Sequence, residues 1–119
     1  MYFIFNSSFQ IDEIVSKLLG SVWLGVYPLD KLPYLPENKA IIVNTHTSNL
    51  KGEHWIAVYH KHDKVYVFDS FGFYYPSMLV THLSRIPKPI VYNRIRYQHW
   101  LTKTCGEHCI LWLLKMYYS

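Results

Sequence analysis

Four residues carry the chemistry open to this chain: His54, Asp69, Gln98 and Cys105, in that order. A carboxylate that accepts an imidazole N–H fixes the ring's tautomer and stabilises its charged form. His54 to His60 (HWIAVYH) and Val65 to Ser70 (VYVFDS) read as strands separated by a polar turn, hence an antiparallel hairpin. A turn centred on Lys61-His62 sets His60 opposite Asp63, Val58 opposite Val65, Ile56 opposite Val67 and His54 opposite Asp69. Directly opposed residues share a face with β-carbons about 5 Å apart, so the hairpin presents an imidazole beside a carboxylate. A slip of one residue would separate them onto opposite faces. Taken alone, the pair also fits an ordinary strand-end histidine and a turn aspartate.

Cys105 follows Thr104, precedes Gly106 and opens an apolar helical pattern. A helix N-terminus carries a partial positive charge that favours thiolate, and a thiolate beside a histidine is an activated nucleophile. Gly106 lets the backbone turn tightly and leaves room for a substrate. Gln98 lies seven residues earlier in a polar, aromatic stretch, Tyr97-Gln98-His99-Trp100. Its amide, paired with the Cys105 backbone N–H, would make an oxyanion hole. A buried structural cysteine and a surface glutamine are the plainer alternatives. Cys109 reads as structural, one turn further into the apolar helix. The run C-x-x-H-C with His99 nearby is not a usual structural-zinc pattern, so no metal site is expected. The remaining histidines, His46, His60, His62 and His82, read as solvated.

The elements that must position these residues follow from periodicity. Ser7 and Gln10 have capping-box spacing, and Ile11, Ile14, Val15, Leu18 and Leu19 follow at helical intervals up to Gly20. Trp23 to Tyr27 reads as a short strand, residues 28–38 with three prolines as loop, and Lys39 to Asn44 as a buried strand. Pro76 to Arg85 reads as a helix that Pro87 and Pro89 end. Ile90 to Asn93 reads as another strand, and Cys105 to Tyr118 as the last helix. The hairpin strands are apolar on both faces, so the sheet must be covered on both sides. The expected class is α+β, a central antiparallel-rich sheet with helices on both sides, in a single domain over residues 1–119.

Composition agrees with a packed domain. Of 119 residues, 38 are Leu, Ile, Val or Phe and 21 are aromatic, which excludes intrinsic disorder. The net charge of +4 permits an acidic partner without demanding one. The apolar start, Met1 to Asn6, is too short for a signal peptide, and no run approaches the length of a membrane span. Two cysteines four residues apart on a helix are poorly placed to bond each other, which points to a reducing compartment and a protein that is not secreted.

The strings around these residues resemble the adenovirus protease (adenain) family of cysteine endopeptidases. Leu24-Gly25-Val26-Tyr27 is similar to its early strand, and Ala40-Ile41-Ile42-Val43-Asn44-Thr45 to the strand and turn before its histidine. Gly52-Glu53-His54-Trp55 resembles its G-x-H-W motif, and Val67-Phe68-Asp69-Ser70-Phe71-Gly72-Phe73 its acidic motif. Gln98 stands seven before the cysteine, as in the family, and Cys105-Gly106-Glu107-His108-Cys109 resembles its C-G-x-x-C. The family commonly has Glu where Asp69 stands. The related SUMO-specific proteases have Asp, in a motif that reads much like Phe68-Asp69-Ser70.

The resemblance implies a papain-like core with its elements in permuted order. It implies Cys105 as nucleophile, His54 as general base, Asp69 as the group orienting His54, and Gln98 with the Cys105 amide as oxyanion donors. Trp55 would wall a narrow cleft, beside Gly106. The implied substrates are viral or virus-like-element precursor and capsid proteins, cut near glycine-containing sites. The implied setting is the virion and the infected cell, and the enzyme a monomer. A protease for ubiquitin-like modifiers, or a silent DNA-binding virion protein of the same fold, are the alternatives. Adenovirus protease uses DNA and a viral peptide as cofactors. No cysteine here matches the one that holds that peptide, so an activating peptide would bind without a covalent link. For DNA, residues 70–106 lack Asp and Glu and hold Arg85, Lys88, Arg94, Arg96 and Lys103 among Tyr92, Tyr97 and Trp100. That pattern suits phosphate contacts and stacking, and equally a solvated basic face.

Overall fold

A computed structural model describes residues 8–45, 54–70, 72, 75–93 and 105–119. Helix α1 (Ser8–Leu19) places Ile11, Val15 and Leu19 in the core, while Leu18, expected on the same face, is 41% exposed. It stops at Gly20, whose φ of 57° is open to a residue without a β-carbon. One 3-10 turn (Gly20–Val22) leads into β1 (Trp23–Pro28). The Trp23 indole N–H donates to Asp12 at 2.8 Å and ties this strand to α1. A second 3-10 turn (Leu29–Lys31) begins the proline-rich connection to β2 (Lys39–Asn44). Then come β3 (Trp55–His60), β4 (Val65–Phe68), α2 (Ser77–Leu83), β5 (Ile90–Tyr92) and α3 (Cys105–Tyr118).

The five strands form one sheet in sequence order, β1-β2-β3-β4-β5. The two central pairings, β2 with β3 and β3 with β4, are antiparallel, whereas the outer pairs are parallel. Parallel neighbours need a crossover rather than a tight turn. The loop after β1 supplies one, and α2 supplies the other between β4 and β5. Both faces are covered, as the apolar hairpin requires. Odd-numbered residues of β3, namely Trp55, Ala57 and Tyr59, pack with Ile11, Val15, Leu19, Cys109, Ile110 and Leu113 of α1 and α3. Even-numbered Ile56 and Val58 pack with Leu79 and Leu83 of α2 and with Leu29 and Leu35 of the loop before β2. Every residue of β3 is buried.

The hairpin register differs from the expected one by two residues. His60 pairs with Val65, Tyr59 with Tyr66, Val58 with Val67 and Ala57 with Phe68. The connection is four residues, Lys61–Lys64, closed by a Lys61 N–H to Lys64 carbonyl bond of 2.9 Å. A two-residue hairpin turn demands positive φ at one or both central positions, which Gly or Asn supplies. The expected turn pair, Lys61-His62, offers neither, and no residue of Lys61–Lys64 has positive φ. A shift of two preserves every side chain's face.

His60 is a correction to the solvated reading. It is 4% exposed, and its Nδ1–H donates to the Leu35 carbonyl at 2.9 Å. His82 is half-buried with Nε2 at 2.7 Å from the Pro33 carbonyl, whereas His62 is exposed beside Glu37. A strand ending in histidine gives no sign in sequence of the loop that will cover it.

Candidate active site

The sheet delivers His54 and Asp69 to one end of the hairpin. His54 immediately precedes β3, and its carbonyl accepts the Thr45 N–H at 3.0 Å at the end of β2. Asp69 immediately follows β4. Carrying the observed register one residue further sets Asp69 opposite Ile56, two residues from His54 and on the same face. Diagonal neighbours on one face remain within reach of long side chains. The contact is made: His54 Nε2 lies 2.6 Å from Asp69 Oδ1. The imidazole is 15% exposed and the carboxylate fully buried, so the bond sits where water competes little for it. With Nε2–H donated to Asp69, Nδ1 is the ring's acceptor nitrogen.

Asp69 is held through its backbone. Its N–H donates to Asn93 Oδ1 at 2.8 Å, and its carbonyl accepts from Asn93 Nδ2 at 2.6 Å and from the Gly72 N–H at 2.9 Å. The Tyr75 hydroxyl lies 2.5 Å from Asn93 Oδ1 and 2.6 Å from the Asn93 carbonyl. The Tyr75 ring packs on Tyr92 with centroids 4.6 Å apart. Nothing in the sequence singled out Asn93 or Tyr75. An asparagine one residue past a three-residue strand is an ordinary loop residue until the neighbouring strand is known.

Cys105 is the first residue of α3. One turn later, Cys109 is fully buried and its thiol donates to the Trp55 carbonyl at 3.3 Å. That contact docks the start of α3 beside the start of β3, one residue from His54. Four residues of helix rise about 6 Å, so the Cys105 backbone lies one turn above this anchor. Gly106 is buried at the same helix start. Trp55 immediately follows His54 and is a core residue. It is 3% exposed among the α1 and α3 side chains, because odd-numbered positions of β3 face those helices.

Gln98, Arg94, Arg96 and Lys103 lie outside the described residues. Arg85 is exposed after α2 and lines a groove of about 510 Å³ with Lys31, His82, Ser77 and Thr81. Lys88 is paired with Glu37 and also reaches the Lys61 carbonyl. The Lys88 hydrogen bond is the main cause holding the Glu37 carboxyl below its ordinary range, with His62 adding to it. No described helix is long and apolar enough to cross a membrane.

No protein-family profile matches the chain, and no curated protein matches it in sequence. Among solved structures, the crystal structure of ASFV pS273R protease superposes on 94% of this chain with a TM-score of 0.61 and 17% identity. The chain spans 57% of the length of that protein. At that identity the likeness is one of fold, and the fold they share is the papain-like α+β arrangement.

Proposed function

We propose that this chain is a cysteine endopeptidase of the adenain type, which matures precursor and capsid proteins of a virus or virus-like element. The observation that carries the reading is the 2.6 Å contact between His54 and the fully buried Asp69, at the sheet end where the helix opening on Cys105 docks. The fold shared with a protease is its second support.

In this reading Cys105 passes its thiol proton to His54 Nδ1, and the thiolate attacks the scissile carbonyl carbon. The Gln98 amide and the Cys105 backbone N–H stabilise the oxyanion. His54 then protonates the departing amine and a thioester remains. Water, deprotonated by His54, attacks the thioester, and the thiol leaves with that proton. Asp69 keeps the ring oriented throughout and stabilises its charged form. Substrates with glycine at the cut fit the same reading, as do DNA or a non-covalent peptide as activator and action within the virion or infected cell.

The test is alkylation by limiting iodoacetamide near pH 6, read by peptide mass spectrometry. An ordinary thiol, with a pKa of about 8.5, reacts slowly there. Cys105 is expected to react much faster than Cys109, and His54→Ala to abolish the difference. Adding DNA or a candidate peptide reports activation in the same assay. Fluorogenic substrates then separate the branches: glycine-containing viral peptides for this reading, ubiquitin-like C-termini for the modifier-protease alternative. Equal, slow labelling of both cysteines with and without activators would exclude a Cys–His pair. Tight DNA binding alongside that inertness would favour the silent virion protein.

A further inference from the structure

We propose that Asn93 is a positioning residue for Asp69, with Tyr75 fixing the orientation of its amide. The inference deepens the protease reading and rests on Asp69 being the acid behind His54.

The need for such a residue comes from where the strands end. Pairing between β4 and β5 runs only from Val65↔Ile90 to Val67↔Tyr92. The last ladder bond is the Asn93 N–H to the Val67 carbonyl at 3.3 Å. Asp69 therefore lies beyond the strand that would have held its backbone, yet its carboxylate is fully buried and must meet one ring nitrogen. A buried backbone N–H or carbonyl left unpaired is costly, and a loose backbone would let the carboxylate wander. The Asn93 carboxamide answers both needs. It accepts from the Asp69 N–H and donates to the Asp69 carbonyl, at 2.8 and 2.6 Å. It acts as one more peptide unit appended to β5.

The amide orientation follows from its neighbours. The Asp69 N–H can only donate, so Oδ1 must face it, and the Asp69 carbonyl can only accept, so Nδ2 must face that. The Tyr75 hydroxyl, itself placed by ring contact with Tyr92, shares its one proton between this Oδ1 and the Asn93 carbonyl, and so grips the residue at side chain and backbone together. Aspartate at this position would lose the donor, leucine both groups, and glutamine would overreach by one methylene. Functional groups need placement within about 0.5 Å, a tolerance a lone loop residue does not meet.

The test uses the whole chain with two readouts. The first is the proton resonance of the His54–Asp69 bond in the imidazole-labelled protein, expected far downfield for a short charge-assisted bond and identified by its loss in Asp69→Ala. The second is Cys105 alkylation by iodoacetamide at pH 6. Asn93→Asp and Asn93→Ala are expected to shift or broaden the resonance and to slow alkylation roughly 10-fold or more, as losses of such outer partners do. Tyr75→Phe keeps the ring contact and is expected to slow it about 5-fold, the effect of one neutral hydrogen bond. It also keeps the proposal testable if Asn93→Ala does not fold. Asn93→Asp combined with Asp69→Ala is expected to react no more slowly than Asp69→Ala alone. An unmoved resonance in Asn93→Asp, or additive losses in the double variant, would overturn the proposal. A wild-type Cys105 no faster than Cys109 would sink the protease reading instead, with the resonance still deciding the role of Asn93.

Discussion

Cys109→Ala tests the joint that sets the helix of Cys105 against the strand of His54. Cys109 has no exposed surface, and its sulfur both fills the core between α3 and β3 and donates to the Trp55 carbonyl. Removing it forfeits burial comparable to one methylene, about 0.8 kcal/mol. The void left by a single sulfur adds roughly 0.5 kcal/mol at about 24 cal/mol per Å³. Loss of a weak hydrogen bond to a carbonyl adds about 0.5 kcal/mol more. The total of about 2 kcal/mol lowers the midpoint of thermal unfolding by roughly 8 °C for a domain of this size. Ile110 and Leu113 still pin α3, so Cys105 alkylation in the folded variant is expected to stay within about 3-fold of wild type, less than 1 kcal/mol. Cys109→Ser keeps a donor toward the same carbonyl and is expected to melt between wild type and Cys109→Ala. Thermal unfolding by circular dichroism reads both. A loss below about 2 °C in Cys109→Ala, well under the worked figure, would show that the thiol is not a packed anchor. A serine variant less stable than the alanine one would remove the hydrogen bond from the account.

Leu113→Ala, in the fully buried face of α3, should cost about 2–5 kcal/mol in urea unfolding, whereas Leu111→Ala, 64% exposed, should cost under about 0.5 kcal/mol. Similar costs at both sites would place the core face of α3 wrongly. Burial pushes the hydroxyls of Tyr59 and Tyr92 above their ordinary value of about 10, for Tyr59 with a smaller push from Tyr117. The unfolded chain therefore releases these protons first. Their contribution to stability is complete below about pH 10 and is lost as pH rises through the higher folded values. Urea midpoints at pH 8 and above pH 10 should accordingly converge in Tyr59→Phe and Tyr92→Phe, and an undiminished alkaline loss in both variants would exclude the two hydroxyls as its cause.

What the sequence made legible was set by pattern strength. The run KAIIVN is apolar at its centre, and β2 spans Lys39–Asn44 as expected. The helical spacing after Cys105 likewise gives α3 its observed bounds. Pro87 and Pro89 stop the chain after α2 because neither can continue a helix. The misses concern long-range partners. His60 is buried by a loop 25 residues away, and Asn93 meets Asp69 across 24 residues. Neither partner leaves a local mark, since histidine at a strand end and asparagine after a strand are ordinary surface choices. The odd-numbered place of Trp55 in β3 faces α1 and α3, a packing side that only the fold reveals.

The hairpin makes the distinction between parity and register concrete. The turn adopts a longer form than expected, yet His54 and Asp69 still meet, because a shift of two leaves both on the same face. Parity was readable from the apolar alternation that each face must satisfy. Register depended on turn geometry, which the polar run Lys61–Lys64 does not specify. The shift has one consequence: Asp69 becomes a diagonal rather than a direct neighbour of His54. A direct pair would be aligned by the hairpin ladder itself. A diagonal pair beyond the end of β4 has no such ladder, so the alignment passes to whatever grips the Asp69 backbone: the Asn93 carboxamide at both its N–H and its carbonyl, and the Gly72 N–H at the carbonyl.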